Sequence, residues 1–214
     1  MEFTLLQKVS LLITSGLLTS ALGMYLGRRI DSLWALIPLI GVFIVGAFGV
    51  QYAAGISPAM GIAANLAWCL AAGLMMGPAV NVAEEVIGWQ SVCAAFVGSA
   101  AVLAACGAFG MKSGVDFSPM GQYLMIGLWA IIIVGLIGLF WTMESWIHAL
   151  VALIGMFIFA GFMVYDFFRL TQTENTWQAA VKLSVQLELD FWNFFASARS
   201  TDVRRAVHAE EVRT

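Results

Sequence analysis

Charged residues are scarce in this sequence, since Asp, Glu, Lys and Arg together make up 11% of its 214 residues. A soluble globular domain usually carries about 25% charged and about 45–50% apolar residues. Here 61% of the residues are hydrophobic, which is more apolar side chain than the interior of one soluble domain accepts. The composition therefore excludes an ordinary soluble fold and predicts that the excess apolar surface faces lipid.

Long basic runs are also missing, and the formal net charge is only -3. A protein that binds the phosphates of a nucleic acid generally presents a strong cluster of Lys and Arg side chains. We therefore predict that nucleic acid is not among the partners of this chain.

The residue types that usually carry catalysis are few. The chain has two histidines, His148 and His208, and it contains no His-Glu-x-x-His or phosphate-loop pattern. Its three cysteines, Cys69, Cys93 and Cys106, lie inside apolar stretches and lack metal-ligand spacing. We expect no enzymatic activity, no cofactor and no disulfide framework, and we interpret the cysteines as small core residues.

Long apolar stretches are abundant, and each is close to the ~20 residues that cross ~30 Å of hydrocarbon. Tryptophan and tyrosine occur near several of their ends, where an amphipathic ring prefers the headgroup layer. The short connections leave no room for a second domain. We predict an all-α integral membrane protein, with residues 1–200 forming one domain of seven transmembrane helices and residues 201–214 forming a short charged tail. The predicted spans are 9–26, 33–52, 59–80, 88–110, 119–141, 146–165 and 177–198.

Small residues recur within several of these stretches and predict close approach of neighbouring helix backbones. The groups are Gly16 with Ser20, Gly41 with Gly46 and Gly49, and Gly135 with Gly138.

Ionisable residues inside the predicted spans are concentrated in the last two. Such a residue costs at least ~2.5 kcal/mol at the bilayer centre on insertion scales, so each needs a partner or a role. Lys182, Gln186, Asp190 and Asn193 follow at spacings of four, four and three and form one stripe of a helix, which we expect to face protein or water. Glu188 precedes Asp190 by two residues, about 200° around the helix, so it belongs to a different face.

Asp166 lies at the end of the predicted sixth span, and the short linker after it makes the sixth and seventh helices antiparallel neighbours. If Asp166 and Asp190 meet in a low-dielectric site, both cannot be ionised cheaply, and we expect them to share a proton. A pH-sensitive latch would result. In the alternative, Asp166 pairs with Arg169 one turn later while Asp190 bonds to another buried neighbour, and the spacing supports both hypotheses equally.

Three short passages carry a resemblance to a known family. Residues 73–78 read Gly-Leu-Met-Met-Gly-Pro, residues 161–166 read Gly-Phe-Met-Val-Tyr-Asp, and residues 187–193 read Leu-Glu-Leu-Asp-Phe-Trp-Asn. They resemble passages of the Bax inhibitor family of transmembrane proteins, also called the TMBIM family, in its prokaryotic branch. The third passage is close to the family's Leu-Tyr-Leu-Asp-Phe-Ile-Asn, and the likeness covers nearly the whole chain.

The resemblance implies a seven-helix fold with the C-terminal helix central to the other six, and a pH-sensitive leak of calcium ions through the membrane. The family's paired aspartates correspond to Asp166 and Asp190, which would act as pH sensor and gate and as transient calcium ligands. Carboxylate oxygens are the ligands that calcium prefers. Residues that would line or support the ion path are Glu188, Lys182, Gln186, Asn193 and Arg169.

The partners that follow from the resemblance are the lipid bilayer, calcium ions as the permeant species, and protons. The expected location is the bacterial inner membrane. Some bacterial relatives modulate the membrane-bound quality-control protease FtsH. An alternative function is therefore that of a binding partner of such a protease, without ion conduction.

Two features depart from the family pattern. Prokaryotic relatives often carry basic residues after the second helix, one of which is able to engage the aspartates, whereas here residues 55–58 read Gly-Ile-Ser-Pro. Lys182 either supplies a compensating positive charge or extends to the interface from near a helix end. Glu188 stands where the family usually has an aromatic residue, and it either widens an acidic path or faces a polar neighbour.

Overall fold

The computed structural model describes residues 3–30, 32–141 and 144–211, without the side chains of residues 33, 139, 145 and 203–211. These described residues form seven α-helices and no β-strand, which confirms the predicted all-α class. The helices are α1 (Leu5–Gly27), α2 (Leu33–Ile56), α3 (Pro58–Ile87), α4 (Trp89–Lys112), α5 (Met120–Phe140), α6 (Ser145–Thr171) and α7 (Trp177–Glu211).

Among the described helices, α1 to α6 are long and apolar enough to cross a membrane. Large apolar side chains cover the outside of α2 and α5, as shown by Trp34, Phe48 and Phe140, which are 84%, 74% and 86% exposed. Exposure of an apolar surface of this extent is unfavourable in water and favourable in lipid. The chain is therefore a multi-pass membrane protein, as the composition predicted.

Helix α7 is different, because it is polar in composition and buried in position. Consecutive residues Leu183, Ser184 and Val185 are all buried, as are Phe191 and Trp192. Successive residues of a helix point in directions about 100° apart, so burial at three consecutive positions means that protein covers more than half of the circumference of α7 there, while Lys182 remains exposed. Protein therefore covers much of α7, which agrees with the expectation of a C-terminal helix central to the other six.

The chain forms two compact units. The N-terminal unit comprises Met1–Val82 and Gln172–Glu188, and the C-terminal unit comprises Ala83–Thr171 and Leu189–Thr214. Helix α7 runs through both and continues to Glu211, beyond the predicted end at residue 198. The assignment of residues 1–200 to one domain and of residues 201–214 to a separate tail stays a prediction.

In the N-terminal unit, α1 and α3 approach each other at backbone distance. A Cβ added at Gly23 would overlap the carbonyl oxygen of Leu70, and one added at Gly73 would overlap that of Ser20. The Ser20 hydroxyl donates to the Cys69 carbonyl oxygen at 2.7 Å. Glycine and serine are thus needed where the two helices cross, as in other tightly packed membrane helices.

The small-residue prediction is confirmed at some positions and wrong at others. Gly16 and Ser20 do lie against α3, whereas Gly41, Gly49 and Gly135 have no atom within 4 Å of the position that a Cβ would occupy. These three glycines lie on α2 and α5, whose exposed apolar surfaces require no close backbone neighbour.

In the C-terminal unit, both α4 and α5 pack against α6. Gly110 of α4 lies against the Val164 carbonyl oxygen, and Gly107 lies against the ring of Phe167. The ring of Phe96 packs against those of Phe191 and Phe195 of α7, with centroids 5.3 and 5.7 Å apart. These contacts fix the positions of α6 and α7 on either side of the candidate site.

Several helices continue beyond their predicted ends, among them α2, which reaches Ile56, as well as α3 and α6. Helix α3 does not end near Val80 but continues past Pro78 to Ile87, and α6 continues past Asp166 to Thr171. The predicted ends were placed where the run of apolar residues stops. A helix ends where its backbone hydrogen bonds end. Proline is tolerated inside membrane helices because neighbouring groups satisfy the freed carbonyl. The linker between α6 and α7 is therefore residues 172–176, shorter than the roughly ten residues implied by the predicted end.

Candidate proton and ion site

Asp166 of α6 and Asp190 of α7 lie together inside the C-terminal unit. Their side chains lie within hydrogen-bonding reach of each other, and the two residues are only 4% and 8% exposed. A hydrogen bond between two carboxyl groups requires a proton on one of them, because ionised carboxylates only accept. The Oδ2 atom of Asp190 has no hydrogen-bond partner among the described residues. This oxygen can take a further proton or a cation.

The local sequence buries both aspartates. Asp166 precedes Phe167 and Phe168, and Asp190 precedes Phe191 and Trp192, and all four aromatic residues are buried. In each helix the aspartate therefore lies next to the residues that anchor that helix in the unit. Buried aromatic neighbours thus keep both carboxyl groups inside the unit.

Arg169 is the positive charge at this site. Its Nη1 atom lies 3.4 Å from Oδ1 of Asp166, and its guanidinium carbon lies 5.7 Å from the centroid of the Tyr165 ring. The Arg169 side chain is 43% exposed, whereas that of Asp166 is 6% exposed. Asp166 thus contacts a partly exposed cation, whereas Asp190 is buried. Asp166 makes the contact with Arg169 and the contact with Asp190 at the same time, so the two sequence-based alternatives coexist for this residue.

The remaining residues of the predicted stripe are Lys182, Gln186 and Asn193. Lys182 is exposed and Gln186 is half-buried, and both belong to the N-terminal unit. Asn193 is half-buried and donates from Nδ2 to the Leu189 carbonyl oxygen of its own helix at 2.8 Å. The exposure of Lys182 agrees with a lysine that extends outward and not with an internal counter-charge.

Glu188 lies in the N-terminal unit and is 0% exposed. Its Oε2 atom accepts from Sγ of Cys69 at 2.9 Å, and its Oε1 atom lies 3.4 Å from Nδ2 of Asn65. Glu188 thus faces α3, as expected for a residue about 200° around the helix from Asp190. Of the two interpretations of Glu188, the structure shows the one with polar neighbours.

Glu188, Asn65, Cys69 and Gly16 form a second polar cluster. Two of its residues, Cys69 and Gly16, carried no functional signal in the sequence. Cys69 was interpreted as a small core residue, and although it is fully buried it also donates to a carboxyl group. Gly16 leaves the space that the Glu188 carboxyl group occupies, since a Cβ there would overlap Oε1. Cys69 and Glu188 are 119 positions apart, so only tertiary packing brings them together.

No group of three or more His, Cys, Asp or Glu side chains placed to hold a metal ion occurs in the described part of the chain. The Asp166–Asp190 pair offers two carboxyl groups, which suits reversible contact with a proton or with a calcium ion in transit. Chemically, the arrangement can bind a proton, release it, and exchange it for a cation at the same oxygens.

Comparison with known proteins gives a family match over most of the chain. The family described as "Inhibitor of apoptosis-promoting Bax1" matches residues 3–198. An uncharacterised protein of Borreliella burgdorferi is 34% identical over 95 residues, which cover 41% of this chain and 40% of that protein. The Golgi anti-apoptotic protein of vaccinia virus (strain Lister) is 32% identical over 104 residues, which cover 49% of this chain and 43% of the viral protein.

A third relative is Bax inhibitor 1 of Schizosaccharomyces pombe, which is 31% identical over 94 residues, or 44% of this chain and 35% of the yeast protein. The similar segments thus span less than half the length of each of these curated relatives.

Proposed function

Because this chain belongs to the Bax inhibitor family, we propose that it is a pH-sensitive calcium leak of the membrane, gated by the proton that Asp166 and Asp190 share. The observation that supports this proposal is the contact between the two buried carboxyl groups on neighbouring helices. No catalytic step is needed. Calcium is the transported ion and not a resident cofactor.

The gate follows from the charge states of the pair. With one shared proton, a hydrogen bond joins α6 to α7. When that proton leaves, two negative charges face each other in a site of low dielectric, and they repel strongly. Arg169 contacts Asp166 and offsets part of this charge, and separation of the carboxyl groups or arrival of a cation relieves the remaining repulsion. Calcium prefers carboxylate oxygens and carries the positive charge that such a site lacks.

The bacterial inner membrane is the proposed location. Six of the described helices are able to span a bilayer, and two similar proteins come from the bacteria Borreliella burgdorferi and Lactococcus lactis. The apoptosis-related names of the viral and yeast relatives describe those proteins.

The proposal is tested by calcium uptake into lipid vesicles that contain the purified protein and a calcium-sensitive dye. The initial rate of uptake is measured at a series of pH values. We expect the parent protein to pass calcium at a rate that changes with pH, and we expect Asp166→Asn/Asp190→Asn to pass calcium at a rate independent of pH. The double variant keeps the shape of both side chains and removes both titratable groups.

Asp116→Asn is the matched control. Asp116 lies in the connection between α4 and α5, where hydrogen bonds from the side chain and backbone N–H of Ser118 lower its pKa. A group with a lowered pKa stays ionised throughout the neutral range, so this variant should keep the parent's pH curve. A parent protein that passes no calcium at any pH, but copurifies with a membrane protease, would replace the leak by the protease-partner function.

A further inference from the structure

The buried face of α1 contains a lysine near the start of the helix. Lys8 follows Leu5 by three residues and precedes Leu12 by four, so all three lie on one face, and Lys8 is only 8% exposed. Positive charge accumulates at the start of a helix, where an acidic side chain is favoured and a basic one is not. No ion pair to Lys8 occurs among the described residues. Neither the helix itself nor an acidic partner therefore accounts for a buried ammonium group at this position.

The ammonium group of Lys8 contacts the start of α7. Its Nζ atom donates to the Asn175 carbonyl oxygen at 3.2 Å and lies 5.3 Å from the centroid of the Trp177 ring. Carbonyl oxygens accept hydrogen bonds from an ammonium group, and the face of an indole ring attracts a cation. Asn175 belongs to the linker between α6 and α7, and Trp177 is the first residue of α7. The lysine thus joins the first turn of α1 to the place where α7 begins.

The chain before α1 contacts the same place. Nδ2 of Asn175 donates to the Phe3 carbonyl oxygen at 3.0 Å. The rings of Phe3 and Trp177 meet edge to face, with centroids 6.5 Å apart. All of these residues belong to the N-terminal unit. Residues 3–8 therefore form a strap, which holds the linker and the first residue of α7 through Phe3 and Lys8.

Hydrogen bonds within the strap fix its conformation. The Thr4 hydroxyl oxygen accepts from the backbone N–H of Gln7 at 3.3 Å, and Oε1 of Gln7 accepts from the backbone N–H of Thr4 at 2.9 Å. Such a reciprocal cap satisfies donors that the first turn of a helix leaves free. It also orders the backbone between Phe3 and Lys8, so less conformational entropy is lost when both residues contact α7.

We propose that the strap is an inhibitory contact, which restrains α7 and thereby slows the calcium leak; this role rests on the function proposed above. Helix α7 is continuous from Trp177 to Glu211 and carries Asp190. Asp190 follows Trp177 by 13 residues, or about 20 Å at 1.5 Å per residue. Separation of the paired carboxyl groups requires α7 to move, and a continuous helix that is held at its first residue moves less. Opening of the strap releases α7.

Hydrogen–deuterium exchange of the full chain in lipid vesicles tests the strap without reference to calcium. Lys8→Met keeps an unbranched apolar stem and removes the charge. The amides of residues 172–182 should exchange faster, on the order of fivefold, as expected when a contact of the cation–π class is lost. The amides of α4 should keep their rates. Unchanged exchange at residues 172–182, or an equal increase in α4, would overturn the proposal.

A double-mutant cycle tests whether the two sides of the contact act together. Trp177→Leu removes the ring that Lys8 and Phe3 both contact. Because each single substitution removes the contact between Lys8 and Trp177, the combined variant should raise exchange by less than the product of the two single increases. An increase equal to that product would contradict the strap. Trp129→Leu is the control, since Trp129 is a 60% exposed tryptophan of α5, and it should leave exchange at residues 172–182 unchanged.

Calcium uptake by vesicles tests the inhibitory role. Lys8→Met should raise the initial rate at every pH of the series, because α7 is released while Asp166 and Asp190 are unchanged. Lys112→Met makes the same change in net charge at an exposed residue of α4 and should follow the parent.

The two measurements separate failure of this inference from failure of the proposed leak. Faster exchange in Lys8→Met together with an unchanged or slower uptake of calcium would overturn the inhibitory role. A rise of equal size in Lys112→Met would overturn it as well, since the effect would then follow from charge alone. A parent protein that passes no calcium would instead contradict the leak itself, and the exchange rates would still decide whether the strap holds α7.

Discussion

Asp190→Asn is expected to weaken the pH dependence of calcium uptake and to hold the rate near one extreme of the parent's curve at neutral pH. In this variant Asp166 keeps its ion pair with Arg169 and no longer faces a second acid. The guanidinium favours the charged form of Asp166 against the effect of burial, so the variant should resemble the deprotonated state at neutral pH.

Asp166→Asn is expected to fix the rate at the opposite extreme. Asp190 then remains buried, without a cationic partner among the described residues, and burial without a counter-charge favours the protonated form. The two asparagine variants make the same chemical change to the two members of the pair. Their rates should nevertheless lie on opposite sides of the parent's rate at its midpoint.

The measurement is the initial rate of calcium uptake by vesicles at matched protein content across a series of pH values. Arg169→Gln is the informative companion, because it retains both acids and removes the cation; its curve should keep the sigmoid shape but change its midpoint. Two single variants that both follow the parent's curve would show that the pair does not set the pH response.

Gly73→Ala is expected to destabilise the protein, although alanine is normally the better helix residue. An added Cβ at Gly73 would overlap the Ser20 carbonyl oxygen, and it would lie 2.9 Å from the Met24 backbone nitrogen. Backbone atoms of a helix cannot move aside alone, so α1 and α3 must separate. Overpacking of this kind costs about 1–3 kcal/mol. The midpoint of thermal unfolding in detergent should fall.

Gly41→Ala is the matched control, since Gly41 is also a helical glycine but has no atom within 4 Å of an added Cβ. Replacement of an unobstructed helical glycine by alanine stabilises by roughly 0.5–1 kcal/mol. The two substitutions should therefore move the unfolding midpoint in opposite directions. A fall of equal size in both would mean that the contact between α1 and α3 does not limit the residue at position 73.

The sequence was sufficient to predict the apolar helices, because length and composition decide which segments enter lipid. Helices α2 and α5 are the clearest cases, with starts within one residue of the prediction. The sequence was less informative about where α3 and α6 end. Both helices continue into polar residues at the membrane surface, where apolar composition no longer indicates a helix. Asp166 was therefore placed at the end of α6 when it lies inside the last two turns.

The sequence predicted some contacts between distant parts of the chain and missed others. The spacing of Asp166 and Asp190 supported their meeting and the alternative pairing with Arg169 equally, and the family resemblance favoured the meeting. The contact of Cys69 with Glu188 was not expected, because a cysteine in an apolar run has the same pattern whether or not it donates a hydrogen bond. Nor does spacing show that Gly16 lies opposite Glu188, since that depends on how α1 crosses α3 and α7.

The polar character of α7 also bears on the order in which this protein is assembled. As a newly made segment, it carries Lys182, Glu188 and Asp190, each of which opposes transfer into lipid by about 2.5–3.5 kcal/mol near the centre. It cannot leave the insertion machinery for bare lipid as the six apolar helices can. Its acids need Asn65, Cys69 and Asp166, which lie on α3 and α6 and are synthesised earlier. Loss of either earlier helix should therefore strand α7 outside the bilayer and expose it to proteolysis.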